Sequence, residues 1–268
     1  MAQWPASILM VGCGNMGGAM LAGWLAGGLS PARFTIVDPF LERGPHGVQL
    51  LRDLPENSSF EAILLGVKPQ MLAEIAPRLL PLAGSGTVML SILAGVELSS
   101  LAAQFPDAGG IVRIMPNLSA AIGKSPVALA GHGVDGGQRE AVTVLMEPLG
   151  VPEWIDESHF DIVTALAGSG PAFVYRFIDA LASGAAALGL DQEQAGRMAL
   201  AMVEGASLLA AGSAHAPGEL ANRVASPGGT TRAGLDVLDA DAALARLVEI
   251  TLRAACERSA EMARETRG

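Results

Sequence analysis

Gly12-Cys13-Gly14-Asn15-Met16-Gly17 is the stretch on which the fold turns. It follows an apolar run, Ile8-Leu9-Met10-Val11, and opens into Gly18-Ala19-Met20-Leu21-Ala22-Gly23-Trp24-Leu25-Ala26, a helix-forming stretch. Strand, glycine turn and helix, with the pattern G-x-G-x-x-G at the turn, is the context in which a dinucleotide is bound. Gly12 is placed for the tight turn, Gly14 for the approach of a pyrophosphate to the backbone, and Gly17 for close packing of helix on strand. The helix start offers N–H groups and partial positive charge to the phosphates. The bland alternative is a glycine turn that holds no ligand. Asp38 lies about twenty residues beyond Gly17, after Phe34-Thr35-Ile36-Val37, where an acid receives the ribose hydroxyls. An acid there favours NAD over NADP, because a 2′-phosphate meets a like charge. Arg43 is near enough in sequence to pair with that phosphate instead. The sequence leaves the choice of nucleotide open, and a turn-capping role for Asp38 with it.

Outward from this stretch, short apolar runs alternate with helical ones. Strands are expected at 34–38, 62–67, 87–91, 110–114, 127–130 and 151–155, with helices near 69–81, 97–104 and 136–148. Such alternation implies a mainly parallel sheet covered by helices, and the near-continuous apolar strands imply burial on both faces. The fold class expected is therefore α/β, a Rossmann-type domain over residues 1–156, followed by an all-α domain over 157–268.

In the second half the expected elements are all helical. Ser169-Gly170-Pro171 reads as an N-cap with proline at the first helical position. The helix ends at Gly189, and a second, capped by Asp191 with Gln194 three residues on, ends at Gly212. A short helix fits 217–224, another starts near Thr230, and a long one runs from Asp241 to about Thr266. Ala180, Gly184 and Ala187 form a strip of small residues that permits close helix approach. So many apolar helices exceed what a small domain can bury alone, so we expect them to form a dimer interface, with a monomeric Ala-rich bundle as the alternative.

Composition narrows the classes. The 268 residues suffice for two domains; half are hydrophobic and 16% are charged. The net charge of −10 argues against nucleic acid or an anionic membrane as partner. No apolar stretch suits a membrane span or a signal peptide, and the two cysteines, Cys13 and Cys256, suit a reducing cytoplasm. Cys13 reads as a small loop residue rather than a nucleophile, since no His or Lys adjoins it. His46, His132, His159 and His215 share no metal-ligand spacing, so no metal site is expected.

Four further stretches carry chemistry. Gly66-Val67-Lys68-Pro69-Gln70 sits at the carboxyl end of a central strand, where ligands bind in open α/β sheets; Lys68 either meets cofactor or starts a helix. Ser91-Ile92-Leu93-Ala94-Gly95-Val96 leaves room for a flat ring or makes a tight turn. In Arg113-Ile114-Met115-Pro116-Asn117, Asn117 orients a cofactor amide or serves a turn. Ser226-Pro227-Gly228-Gly229-Thr230-Thr231 combines two glycines and three hydroxyls before a helix, a nest for an anion such as a carboxylate, or a loop with a Thr N-cap.

With these stretches in this order, joined by Gly168-Ser169-Gly170-Pro171-Ala172, the chain resembles the pyrroline-5-carboxylate reductases over essentially its whole length. The resemblance implies a Rossmann domain and a helical dimerisation domain whose helices interlock. Each active site would draw on both subunits of a homodimer or a larger assembly of dimers. It implies NADPH or NADH as cofactor, held by Gly12, Gly14, Asn15, Met16, Gly17 and Asp38, with Val67, Lys68, Pro69, Ala94 and Gly95 bordering the nicotinamide end. It implies that Ser226, Gly228, Gly229, Thr230 and Thr231 hold the carboxylate of 1-pyrroline-5-carboxylate, with the Thr231 hydroxyl near the ring nitrogen as the catalytic contact. The chain departs from the family pattern at Ala167, where a Ser often stands, and at Ser213-Ala214-His215-Ala216-Pro217, where His and Pro are usually adjacent. Asn57 is the candidate for an Asn usual near the cofactor. A β-hydroxyacid dehydrogenase relative is the alternative enzyme, but such enzymes use a helical Lys and residues 157–268 contain none. A non-catalytic dinucleotide sensor is the alternative outside enzymes.

Overall fold

The computed structural model describes residues 4–45, 47–56 and 58–267; His46 and Asn57 lie outside them. The described chain divides into two compact units. One runs up to Ser169 and resumes at Ala255; the other is Gly170–Ala254.

The first unit is built on an eight-stranded sheet. Its elements in chain order are β1 (Ile8–Val11), α1 (Asn15–Ala26), β2 (Phe34–Val37), β3 (Gln49–Leu51), β4 (Ala62–Leu65), α2 (Leu72–Leu79), β5 (Val88–Ser91), α3 (Leu98–Gln104), β6 (Gly110–Met115), β7 (Ser125–His132), α4 (Gly136–Met146) and β8 (Gly150–Trp154). The strand order is β3-β2-β1-β4-β5-β6-β7-β8. Alternate side chains explain the layers. Ile8 and Met10 of β1, with Ala62 and Leu64 of β4, join Trp24 of α1 and Leu145 of α4 in one core. Leu9, Val11, Ile63 and Leu65 join Leu72 and Leu79 of α2 and Leu101 of α3 in the other. Both faces are covered, so all four residues of β1, β4 and β5 are buried. Trp24 stacks on Phe34 with ring centroids 5.5 Å apart, and its indole N–H donates to the Leu145 carbonyl at 2.7 Å. That bond satisfies the one polar atom of a large buried ring.

Six strands run parallel, as the alternation of runs implies, but β7 pairs antiparallel with β6, and β8 lies parallel to β7. The reason is the length of the link: only 116–124 separate β6 from β7, too few for a crossover helix. Strand β3 has no counterpart in the sequence reading. It is three residues long, sits at the sheet edge and is half exposed, so its hydrophobic signal is weak.

After β8 the chain enters α5 (Phe160–Val163), a π-helical turn at Thr164–Gly168, and α6 (Gly170–Ala187). Ser169 has helical φ and ψ of −88° and −23° and donates its N–H to the Thr164 carbonyl. It is therefore not an N-cap: the helical path passes through it, and Pro171 follows the π turn rather than a free start.

The second unit contains α6, α7 (Gln192–Ala211), α8 (Pro217–Arg223), α9 (Thr230–Asp239) and the first half of α10 (Ala243–Arg267). Asp191 caps α7 by accepting the Gln194 N–H at 3.0 Å. Helices α6 and α7 meet through Ala182, Ala195 and Ala199, flanked by Ile178, Leu181, Ala185 and Ala186. That core is small. Val174, Tyr175, Phe177, Met198, Leu200, Met202, Leu208, Leu209, Leu247 and Ile250 are exposed, and so is the strip Ala180, Gly184 and Ala187.

Candidate active site

The cofactor-type residues lie at the carboxyl ends of the central strands of the first unit. Gly12 ends β1 with φ +86°, and a Cβ there would lie 2.9 Å from the Gly66 carbonyl group and the Val67 nitrogen. The two strand ends are thus interlocked, backbone against backbone, at β1 and β4. Gly66 belongs to this lock; a single glycine after a strand carries no separate sequence signal. Gly14 is different. It is exposed, it precedes α1, and a Cβ on it would meet nothing within 4 Å. No side chain caps α1, whose first residues are exposed Asn15 and half-buried Met16. Gly17 is buried, its Cβ position 3.2 Å from the Gly12 carbonyl oxygen.

Asp38 follows β2, whose neighbour is β1. One carboxylate oxygen accepts the Cys13 N–H at 2.9 Å; the other accepts the N–H groups of Phe40 at 2.9 Å and Leu41 at 3.2 Å. It therefore caps its own turn and also pins the glycine loop. Burial, with the neighbouring Asp38 charge second, pushes the Cys13 thiol up to about 11. The thiol is protonated at neutral pH, in keeping with a packing residue.

Lys68 is exposed and stands before a 3₁₀ turn at Pro69–Met71; its backbone carbonyl accepts the Met71 N–H. Pro69 and Ala94 come together on the wall of a cavity of about 790 Å³ that Ser100 and Met262 also line. Gly95, with φ +73°, leaves its Cβ position 3.2 Å from the Ala263 nitrogen, so its small size admits the end of α10. Asn117 does not offer its amide to a ligand. It is buried; its Nδ2 donates to the Ala167 carbonyl, its Oδ1 accepts the Ser119 N–H, and its own N–H donates to Ser125 Oγ, each at 2.9 Å. Arg113 is likewise committed, to Glu157 at 2.6 Å and to the face of Phe160.

The Ser226–Thr231 residues belong to the second unit. Pro227 and Gly228, φ +72°, form a turn closed by the Gly229 N–H on the Ser226 carbonyl at 2.9 Å. Proline followed by a positive-φ glycine is the pattern of a type II turn. Gly229 is the N-cap of α9, and no side chain caps the helix. The hydroxyls of Ser226, Thr230 and Thr231 are thus not spent on capping, and all three residues are exposed. Arg232 ties α9 together through Asp236 at 3.0 Å and Asp239 at 3.3 Å. His215 is engaged by Glu219 at 3.0 Å and by Arg223. Among the described residues no group of His, Cys, Asp and Glu has the makings of a metal site.

The glycine loop fits a dinucleotide on three counts: open space over Gly14, an uncapped helix start, and a carboxylate at the end of β2. Sequence reasoning missed Arg52, whose guanidinium donates to the carbonyls of Asp38, Pro39, Leu41 and Glu42. Nothing in its local sequence distinguishes it from a solvated surface arginine.

Residues 157–262 match the family model described as pyrroline-5-carboxylate reductase dimerisation. A pyrroline-5-carboxylate reductase of Pseudomonas aeruginosa is 34% identical over 266 residues, covering 96% of this chain and 97% of that protein. A solved structure of a pyrroline-5-carboxylate reductase from Coxiella burnetii superposes with a TM-score of 0.88 at 28% identity, covering 96% of this chain and 98% of that one. The pyrroline carboxylate reductase of Plasmodium falciparum, solved with NADP bound, shares the fold, with a TM-score of 0.81 at 24% identity over 97% of this chain and 98% of that one.

Proposed function

The chain belongs to the pyrroline-5-carboxylate reductase family, and we propose that its glycine loop and its Ser226–Thr231 turn carry the two halves of that reaction. It is an oxidoreductase that converts 1-pyrroline-5-carboxylate to L-proline, and NAD(P)H supplies the hydride when bound. The observation that carries the assignment of roles is the Ser226–Thr231 turn: an uncapped helix start, two glycines and three uncommitted hydroxyls in one exposed loop. Such a loop suits a carboxylate, which the free N–H groups and hydroxyls would bind. Thr231 would donate or accept at the ring nitrogen. Since a cyclic imine can arrive already protonated, a strong general acid is not needed, and orientation near the cofactor provides much of the rate.

Gly12, Gly14, Asn15, Met16, Gly17 and Asp38 would hold the nucleotide, with Val67, Lys68, Pro69, Ala94 and Gly95 toward its nicotinamide end. Functionally, residues 1–156 form the nucleotide domain and 157–268 the dimerisation and substrate domain. The exposed apolar faces of the second unit and the match to a dimerisation family support a homodimer, and larger assemblies of dimers are a natural extension. No helix of the described residues is long and apolar enough to cross a membrane, and we place the enzyme in the cytoplasm. The net charge of −10 disfavours nucleic acid as a partner.

The decisive assay follows NADH and NADPH oxidation with 1-pyrroline-5-carboxylate and identifies proline as product. Absence of oxidation with both nucleotides, in protein shown to be folded, would sink the reading.

A further inference from the structure

The turn after β2 carries more than a generic ribose contact. Three backbone N–H groups, from Cys13, Phe40 and Leu41, aim the Asp38 carboxylate from within the loop itself. One of them belongs to the glycine loop, so the carboxylate stands at the pyrophosphate end of β1 rather than away from it. Each carboxylate oxygen has two lone pairs, and the Cys13 bond leaves capacity on its oxygen for a hydroxyl donor. The two arginines of the segment differ. Arg52 spends its guanidinium on four carbonyls of the turn, the shortest contact being 2.6 Å to Leu41, so it braces the turn. Arg43 is exposed and has no ion pair or hydrogen bond among the described residues. Among the described residues neither arginine pairs with the Asp38 carboxylate, and Arg52, the cation held beside it, spends its N–H groups on main-chain carbonyls. Two residues beyond Asp38, Phe40 is 85% exposed on this braced turn. A bare aromatic ring beside a ribose acceptor is a stacking platform for a purine.

We propose that this turn makes the enzyme selective for NADH over NADPH, with Asp38 accepting from the adenine-ribose hydroxyls and Phe40 stacking on the adenine. The proposal rests on the reading of Gly12–Gly17 as the nucleotide loop. A 2′-phosphate would bring like charge onto a carboxylate that the turn cannot turn away, because three N–H groups and the Arg52 brace hold it.

The test is direct titration of the purified protein with NADH and NADPH, read by nicotinamide fluorescence, alongside thermal shifts with NAD and NADP. NADH is expected to bind roughly ten-fold or more tightly than NADPH, the scale of a like-charge clash at a partly exposed site. Asp38→Asn keeps an oxygen acceptor and removes the charge, so it should narrow that ratio. Phe40→Ala touches no core residue and should weaken both nucleotides equally, by roughly three- to ten-fold. Arg43→Ala should leave the ratio unchanged. Equal or tighter binding of NADPH by the unmodified enzyme overturns the proposal while leaving the reductase reading intact. A ratio unmoved in folded Asp38→Asn, or a loss of NADPH binding in Arg43→Ala, also overturns it. Failure of both nucleotides to bind overturns the nucleotide loop itself, and the proposal with it.

Discussion

Two glycines two residues apart do different jobs. Gly12 is required by the protein: its φ of +86° and the 2.9 Å approach to Gly66 exclude any side chain. Gly14 is not required by the packing of the fold, since its Cβ position is empty. Gly12→Ala should therefore cost about 2–4 kcal/mol of stability in denaturant titration, through left-handed strain and overlap together. Gly14→Ala should melt within a few degrees of the parent and raise the KM for the nucleotide far more than the KM for the imine acid. A Gly14→Ala protein that unfolds, or that changes only the imine-acid KM, would show the loop misread. Thr231→Ala should lower kcat/KM by roughly 1–3 kcal/mol of transition-state binding, with the fold intact. Unchanged kinetics would remove Thr231 from the mechanism. Cys13 gives a pH signature. Its thiol ionises near 9 when unfolded and near 11 when folded, so between those values the unfolded chain binds fewer protons and stability falls as pH rises. The loss should approach about 2 kcal/mol between roughly pH 8 and 11, and Cys13→Ala should lack that component when the two urea series are compared.

At the scale of elements, the helical path from α5 to α6 is the place where local rules and tertiary bonding diverge. Ser-Gly-Pro ordinarily begins a helix, yet here it continues one through the π turn at Thr164–Gly168. A π turn leaves carbonyls poorly served by the helix, and the buried Asn117 amide supplies a donor to Ala167. A side chain fifty positions away in sequence thus stabilises a departure from α geometry, which local propensity cannot encode. Asn117→Ala should cost about 2–4 kcal/mol, because it removes one buried and one part-buried hydrogen bond and leaves a carbonyl unsatisfied. A urea midpoint within experimental error of the parent would mean that the π turn is self-sufficient. Sheet direction follows a similar logic: β7 reads as one more apolar strand, and only the short 116–124 link reverses it.

At the scale of the molecule, the two units bury their apolar residues to different degrees. The sheet unit closes both its faces with helices, whereas the helical unit leaves many of its large apolar side chains exposed. A chain of this kind is completed by a second copy. Gly184→Glu tests this cleanly: the position is exposed within one chain and its Cβ has free space. A monomeric protein would tolerate the change or gain helix propensity. If the small-residue strip lies between protomers, light scattering across a concentration series will show dissociation; an unchanged dimer would place the interface elsewhere on these helices.

How much of this was legible in the chain depends on the range of the forces involved. The glycine turn, the apolar strands, the Asp191 cap and the turn at Ser226–Thr231 arise from neighbours within a few residues, so residue type and spacing suffice. The exposed apolar helices were legible as well, since composition counts what must be buried. What the sequence by itself determined was therefore the α/β plan, the glycine turn after β1 and the family. Only the tertiary structure decided which glycines the fold itself requires, that Asn117 is spent on Ala167, that Arg52 braces the turn at Asp38, and that β7 runs backward. Each of these depends on a contact between distant positions, where backbone geometry rather than residue type sets which donor meets which acceptor.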